Sequence, residues 1–276
     1  MTFLEKLLEA SRRNRSWLCV GLDPDPESLP TSLKERENPV REFCRQIIGA
    51  TRDLVCAYKP NIAFFEALGE SGWPTLKEVI DSVPDDVPVI LDAKRGDIGN
   101  TARMYAQAYF QGLGVDAVTV NPYMGKDSIT PFLEYEDKTA FILCLTSNPS
   151  SADFQQREFG DKPLYHEVAS MANSLNRDGN CGLVVGATKP EQLRELRELC
   201  PDLPFLIPGV GAQGGDLESA VKYGSDKEGN LAIINVSRAI LYASKEKDFA
   251  ESAGEKAESF REQINLFRRS KVSSPV

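Results

Sequence analysis

The chain of 276 residues has a single histidine, His166. A Ser/His/Asp triad needs an imidazole beside its nucleophile and a multi-histidine metal site needs several, so neither chemistry is expected. His166 is followed by Glu167 in a helical-looking segment and is expected at the surface. Paired cysteines are also lacking. Cys19, Cys44, Cys56, Cys144, Cys181 and Cys200 are scattered without a CxxC pair, which fits neither a disulfide framework nor a zinc site and points to reduced core thiols. Positive charge is in deficit, with 32 Lys and Arg against 41 Asp and Glu, a net charge of −9. General nucleic-acid binding, which needs a basic surface, is not expected, and any anionic ligand must be held by a local positive site. No stretch approaches the roughly 20 apolar residues of a membrane span. The N-terminal "MTFLEKLLEASRRNRSW" carries acidic residues in an amphipathic pattern, unlike a secretory signal, so a cytoplasmic location is expected.

What the chain does have is ordinary globular composition, 41% hydrophobic and 26% charged, and a regular alternation. Apolar, β-rich runs occur at 17–23, 56–65, 88–94, 117–123, 140–147, 181–187, 205–211 and 231–237. Between them lie helical patterns such as "NTARMYAQAYFQGLG", closed by glycine, and "KPEQLRELRELCP", bounded by prolines. Near-continuous apolar strands alternating with helices indicate parallel strands buried on both faces. Eight such units in about 250 residues suggest an α/β fold of the (β/α)8 TIM barrel type, with a doubly wound open sheet as the alternative. No composition shift marks a second domain, so residues 1–276 read as one barrel domain. Helices are expected before residue 15 and after about 247, and the final "SKVSSPV" reads as a loose tail. The polar segment "SNPSSADFQQREFGDKP" is long enough to be an active-site lid.

A barrel carries its active site at the C-terminal ends of its strands. Those ends supply Asp23, Lys59 with Asn61, Asp92 with Lys94, Asn121, Thr146 with Ser147, the "PGVGAQGG" turn, and Ser237 with Arg238. Strand six, ending "VVGAT", offers mainly apolar and small groups. In "VILDAKRGDIGNTA" the residues Asp92 and Lys94 are two apart and are expected on one side of the strand, with Asp97 in the following turn. A strand-end salt bridge with Asp97 starting a helix would give the same pattern. Lys59 stands in an otherwise apolar strand, where a bare ammonium is costly unless it is paired or snorkels to the edge. Asp23 and Asp92 are expected at adjacent strand ends, forming with the lysines an alternating network that stability alone does not call for. The glycine-rich turn after strand seven and "NVSRAI" after strand eight suit a phosphate, although a tight structural turn also uses such glycines. Arg95 has no assigned role and reads as a surface or interface charge.

These elements together, "LDAKRGDIGNTA", "VGLDPD", "YKPN", "LTSNPS", "PGVGAQGGD" and "NVSRAI", resemble the longer group of orotidine 5′-phosphate decarboxylases from strand one to strand eight. The resemblance implies a TIM-barrel homodimer that converts orotidine monophosphate to UMP in pyrimidine synthesis without cofactor or metal. It implies a catalytic tetrad of Lys59, Asp92, Lys94 and Asp97, with Asp97 reaching into the partner's site. It further implies ribose contacts from Asp23 and Lys59, a pyrimidine contact from Ser147, a bridge from base to phosphate at Gln213, and a phosphate site at Arg238 and Gly211. Ile98 and Thr101 match positions that contribute from the neighbouring subunit. One departure is that many relatives have glycine where "NVSRAI" has Ser237.

Two other readings remain. A Mg²⁺-dependent decarboxylase or aldolase acting on a keto-sugar phosphate shares the barrel and a DxK element, but places an acidic ligand near the end of strand two, where this chain has Lys59. A non-catalytic phosphate-binding barrel would have no need of the charged network.

Overall fold

A computed structural model describes residues 1–211 and 214–273. Eight parallel strands form one sheet: β1 Leu18–Leu22, β2 Ala57–Pro60, β3 Ile90–Arg95, β4 Ala117–Val120, β5 Thr139–Leu145, β6 Cys181–Val185, β7 Phe205–Ile207 and β8 Ala232–Val236. Each strand pairs with the next in sequence except β2 with β3, and β8 returns to β1. Single parallel bridges, Tyr58 to Val89 and Asn61 to Asp92, join β2 to β3. The sheet therefore closes on itself, and the fold is a (β/α)8 TIM barrel. Residues of β1, β2, β4, β6, β7 and β8 are buried throughout, as expected of strands covered by helices outside and side chains within.

Every strand except β3 stops earlier than its apolar run. The run from 56 to 65 is a strand only to Pro60, and Ile62–Glu66 form a helix, α1. The Asn61 side chain accepts from the Ala63 N–H at 3.1 Å and so starts that helix. Asn121 does the same for a 3₁₀ turn at Pro122–Met124, accepting from Tyr123 N–H at 3.0 Å. Apolar periodicity cannot register these stops, because the residues beyond them are apolar in either conformation.

The N-terminal helix Phe3–Asn14 opens with a capping box between Thr2 and Glu5 and packs Phe3 edge-on against Phe141 of β5, with centroids 5.6 Å apart. The C-terminal helix runs from Phe249 to Ser273. It takes in the first four residues of the segment expected to be loose, and two side chains hold its end. Arg268 lies over the Trp17 ring and bonds Asn230, and Lys271 donates to the Ser225 carbonyl. All six cysteines are buried and free, and burial pushes the thiols of Cys19 and Cys181 up to about 12. Among the described residues no helix is long and apolar enough to cross a membrane.

Candidate active site

The C-terminal strand ends enclose an open cavity of about 440 Å³. Asp23, Lys59, Asp92, Lys94, Ser147 and Arg238 all line it, from β1, β2, β3, β5 and β8 or the residues just after them. At its floor, Lys59 Nζ lies 2.9 Å from Asp92 Oδ2 and Lys94 Nζ lies 2.5 Å from Asp92 Oδ1. Lys59 is 4% exposed, whereas the Lys94 side chain is 48% exposed and reaches into the open space. Lys94 thus projects into the open space, while Lys59 lines the floor.

Burial alone would push the Asp92 carboxyl up, but the adjacent Lys59 and Lys94 charges overcome it and hold it well below the usual carboxylate range. Burial alone would likewise push the Lys59 ammonium down, and the charges of Asp92 and Asp23 reverse this, holding it well above the usual lysine value. Both groups are charged at neutral pH. The sheet order puts Lys59 between Asp23 and Asp92, so the two aspartates are not on adjacent strands as the sequence suggested. Like charges are separated by a cation, which lowers the cost of collecting them.

Strand alternation would put Asp92 and Lys94 on one side, yet β3 does not run as a regular strand here. Leu91 pairs with Val118 and Arg95 with Val120, so four steps on β3 run opposite two on β4. This is a bulge, which re-aims the side chains within it. Lys94 sits in it at φ +48°, a left-handed conformation costing a residue with a Cβ on the order of 1–2 kcal/mol.

Arg95 has a structural role rather than a surface one. Its Nε donates to the Tyr109 hydroxyl at 2.8 Å and its Nη1 to the Ala93 carbonyl at 3.0 Å, and it pairs with Glu66 of α1. It ties the end of β3 to the helices on either side.

The other wall joins β1 and β8. Asp23 Oδ1, Asn235 Oδ1 and Ser237 Oγ are buried there without a hydrogen-bond partner, three of the four such side-chain atoms among the described residues. Buried polar atoms are normally satisfied, so this wall is built to receive polar groups of a ligand or ordered water. Gly21 makes room for it, since a Cβ there would lie 2.9 Å from Ser237 Cβ and 3.2 Å from Asn235 Oδ1. Asn235 was not picked out from the sequence, although an amide inside an apolar strand was a usable signal. Thr119, Asn148 and the wall residues Pro208, Gly209 and Val210 also line the cavity unanticipated as individuals. The small residues ending strand six have a purpose too. A Cβ on Gly186 would lie 2.7 Å from the Ser147 backbone nitrogen, so only glycine lets the Ser147 segment approach.

The remaining candidates lie elsewhere. Asp97, Ile98, Thr101 and Gly211 do not line the cavity. Asp97 accepts from the Ile98 N–H at 2.8 Å, Ile98 is 54% exposed, and Thr101 is exposed on the helix α2, Gly99–Gln107. Gly211, at φ +75°, stands just beyond Val210 in a turn closed by Val210 pairing with Gly215. Gln213 lies outside the described residues. The expected lid segment is folded against the mouth, where the Gln155 side chain accepts from Thr146 N–H at 2.7 Å and donates to its hydroxyl at 2.9 Å. His166 is partly buried, 3.4 Å from Glu195, and takes no part in the cavity.

Comparison with known proteins agrees with this geometry. The chain is 52% identical to the orotidine 5′-phosphate decarboxylase of Dehalococcoides mccartyi over 98% of its own length and 99% of that protein. It is also 52% identical to that of a Roseiflexus species over 96% and 98%. Its fold matches a structure of Leishmania donovani OMP decarboxylase with a TM-score of 0.87 at 42% identity, covering 98% of this chain and all of that one. The pattern of one family matches residues 16–253. The chain belongs to the orotidine 5′-phosphate decarboxylase / HUMPS family.

Proposed function

We propose that the protein converts orotidine 5′-monophosphate to UMP and CO₂ in pyrimidine synthesis, without metal or organic cofactor, as a cytoplasmic homodimer. The observation that carries the reading is Asp92 clamped between buried Lys59 and the accessible Lys94. The keto-sugar-phosphate alternative needs an acidic metal ligand where Lys59 stands, and a simple phosphate binder does not need three charges on the cavity floor.

When the C6–carboxylate bond of the substrate breaks, its electron pair stays on C6 in an orbital that the ring π system cannot delocalise. Lys94 stabilises this carbanion and gives C6 a proton, which the lysine regains from water. One ammonium at about 4 Å and an effective dielectric near 20 supplies about 4 kcal/mol, whereas enzymatic accelerations reach about 20 kcal/mol. The remainder comes from preorganised charge, exclusion of water and binding energy drawn from the distant phosphate. Asp92 crowds the substrate carboxylate and positions both lysines. Asp23 and Lys59 bind the ribose hydroxyls, Ser147 the pyrimidine, and Gln213 spans base and phosphate. Asp97, Ile98 and Thr101 complete the partner's site. The exposure of Ile98 and Thr101 beside half-buried Asp97, together with exposed Met104 on the same helix, supports that reading.

The test is the loss of orotidine monophosphate absorbance on adding protein in excess chelator. Turnover under those conditions is expected; its absence, with activity restored by Mg²⁺, would overturn the cofactor-free reading. A mass other than twice that of the chain in light scattering would count against the dimer, and recovery from cells only with membranes would count against the cytoplasmic location.

Arg238, exposed at the rim just after β8, together with Gly211 is assigned to the phosphate. Arg238→Ala removes a charge-assisted contact of about 1.5–3 kcal/mol, so KM is expected to rise on the order of 10- to 100-fold. An unchanged KM would remove Arg238 from the phosphate site.

A further inference from the structure

The floor of the cavity contains one group that the charges alone do not explain. Thr119 of β4 is 1% exposed. Its Oγ1 accepts from the Lys94 backbone N–H at 2.9 Å and donates to Asp92 Oδ1 at 2.9 Å. The direction of both bonds is fixed. A backbone N–H can only donate, so Oγ1 receives there, and the hydroxyl's one proton is left for the carboxylate. The same Asp92 oxygen also receives Lys94 Nζ, while its other oxygen receives Lys59 Nζ.

We infer that Thr119 is a positioning residue for the reaction: its hydroxyl holds the Lys94 backbone in its left-handed conformation and the Asp92 carboxylate in the orientation that presents Lys94 Nζ to the substrate. The bulge interrupts the ladder between Leu91 and Arg95, so the Lys94 N–H has no strand partner and Thr119 takes that place. Both ends of Lys94, its amide and its ammonium, are thereby referred to one Thr119–Asp92 unit. A strained residue persists only where its surroundings over-determine it, and this hydroxyl is the contact that does so from the neighbouring strand. The inference rests on the decarboxylase reading and deepens it.

Thr119→Val keeps the shape and removes both hydrogen bonds. The hydrogen bond lost involves a charged carboxylate, so kcat is expected to fall about 10- to 100-fold. KM and the affinity for UMP are expected to stay within about twofold, because the phosphate and ribose contacts are untouched. Thr119→Ser is expected to restore kcat to within a few-fold. A kcat unchanged in folded Thr119→Val would overturn the inference, as would UMP affinity falling in parallel with kcat. Should Thr119→Val fail to fold, Thr119→Ser and Thr119→Cys carry the contrast, since they differ little in size but the thiol is a poor donor and acceptor. Equal kcat in those two would overturn the inference. Turnover by the unsubstituted chain, measured alongside, separates this outcome from a failure of the decarboxylase reading itself.

Discussion

Replacing Lys94 by alanine is expected to leave a folded protein that binds UMP and does not turn over. The fold is spared because Asp92 keeps Lys59 and Thr119 as partners and the Lys94 side chain is half-exposed. Loss of one ammonium at about 4 Å removes about 4 kcal/mol of carbanion stabilisation, or on the order of 10³ in rate. Loss of the proton donor adds about 10² or more. UMP has no carboxylate and gains at most one modest hydrogen bond from Lys94, so its affinity changes by less than about tenfold. Steady-state turnover and UMP titration of Lys94→Ala measure the two effects separately, and near-normal turnover would remove Lys94 from the mechanism. The same variant tests the shared site. Mixed with inactive Asp97→Ala subunits under exchange, it forms heterodimers in which one site has native Lys94 from one chain and native Asp97 from the other. In a symmetric dimer this restores roughly a quarter of the native activity. No recovery, with exchange verified, would place Asp97 outside the partner's site.

The difference between what the sequence disclosed and what it hid has a physical pattern. The barrel was legible because eight buried parallel strands must be apolar on both faces, and each such run is visible without any tertiary information. Their ends were less so, because Asn61 and Asn121 stop β2 and β4 through side-chain caps within apolar surroundings. On the cavity floor, Lys59, Asp92 and Lys94 stood out because charges inside apolar strands are costly without a reason. Thr119 did not, since a β-branched threonine is an ordinary strand residue and only the bulge in the neighbouring strand gives its hydroxyl a task. The bulge itself is invisible in "VILDAKRGD", where an unbroken strand would also have put Asp92 and Lys94 on one side. Arg95 shows the reverse error: adjacency to charged site residues suggested a free charge, whereas its partners, Tyr109 and Glu66, are remote in sequence.

Breaking the buried pair is expected to be the most damaging single change to stability. Asp92→Ala leaves the Lys59 ammonium buried without its carboxylate, which costs about 3–5 kcal/mol and lowers the unfolding midpoint by on the order of 10 °C. Calorimetry of the variant measures it, and a native midpoint would mean that Asp92 does not hold Lys59. The paired change Lys59→Met with Asp92→Leu removes both charges at once and is expected to recover most of the lost stability while abolishing turnover, because a buried ion pair gains little over apolar groups of similar size. The pH dependence of stability separates the two variants from the native chain. The folded Asp92 pKa is depressed, so its stabilising contribution is present above about pH 4, its unfolded value, and is lost as pH falls through the lower folded value. The folded Lys59 pKa is raised, so its contribution is complete below about pH 10 and is lost as pH rises through the higher folded value. Native stability should therefore stay level, as far as this pair is concerned, between those limits and decline outside them, and the doubly apolar variant should lose both declines. A paired variant that is as unstable as Asp92→Ala would show instead that the charges themselves sustain the fold. Recovery of stability without turnover would mean that the network is kept for the reaction, at a cost to the fold that apolar residues would not impose.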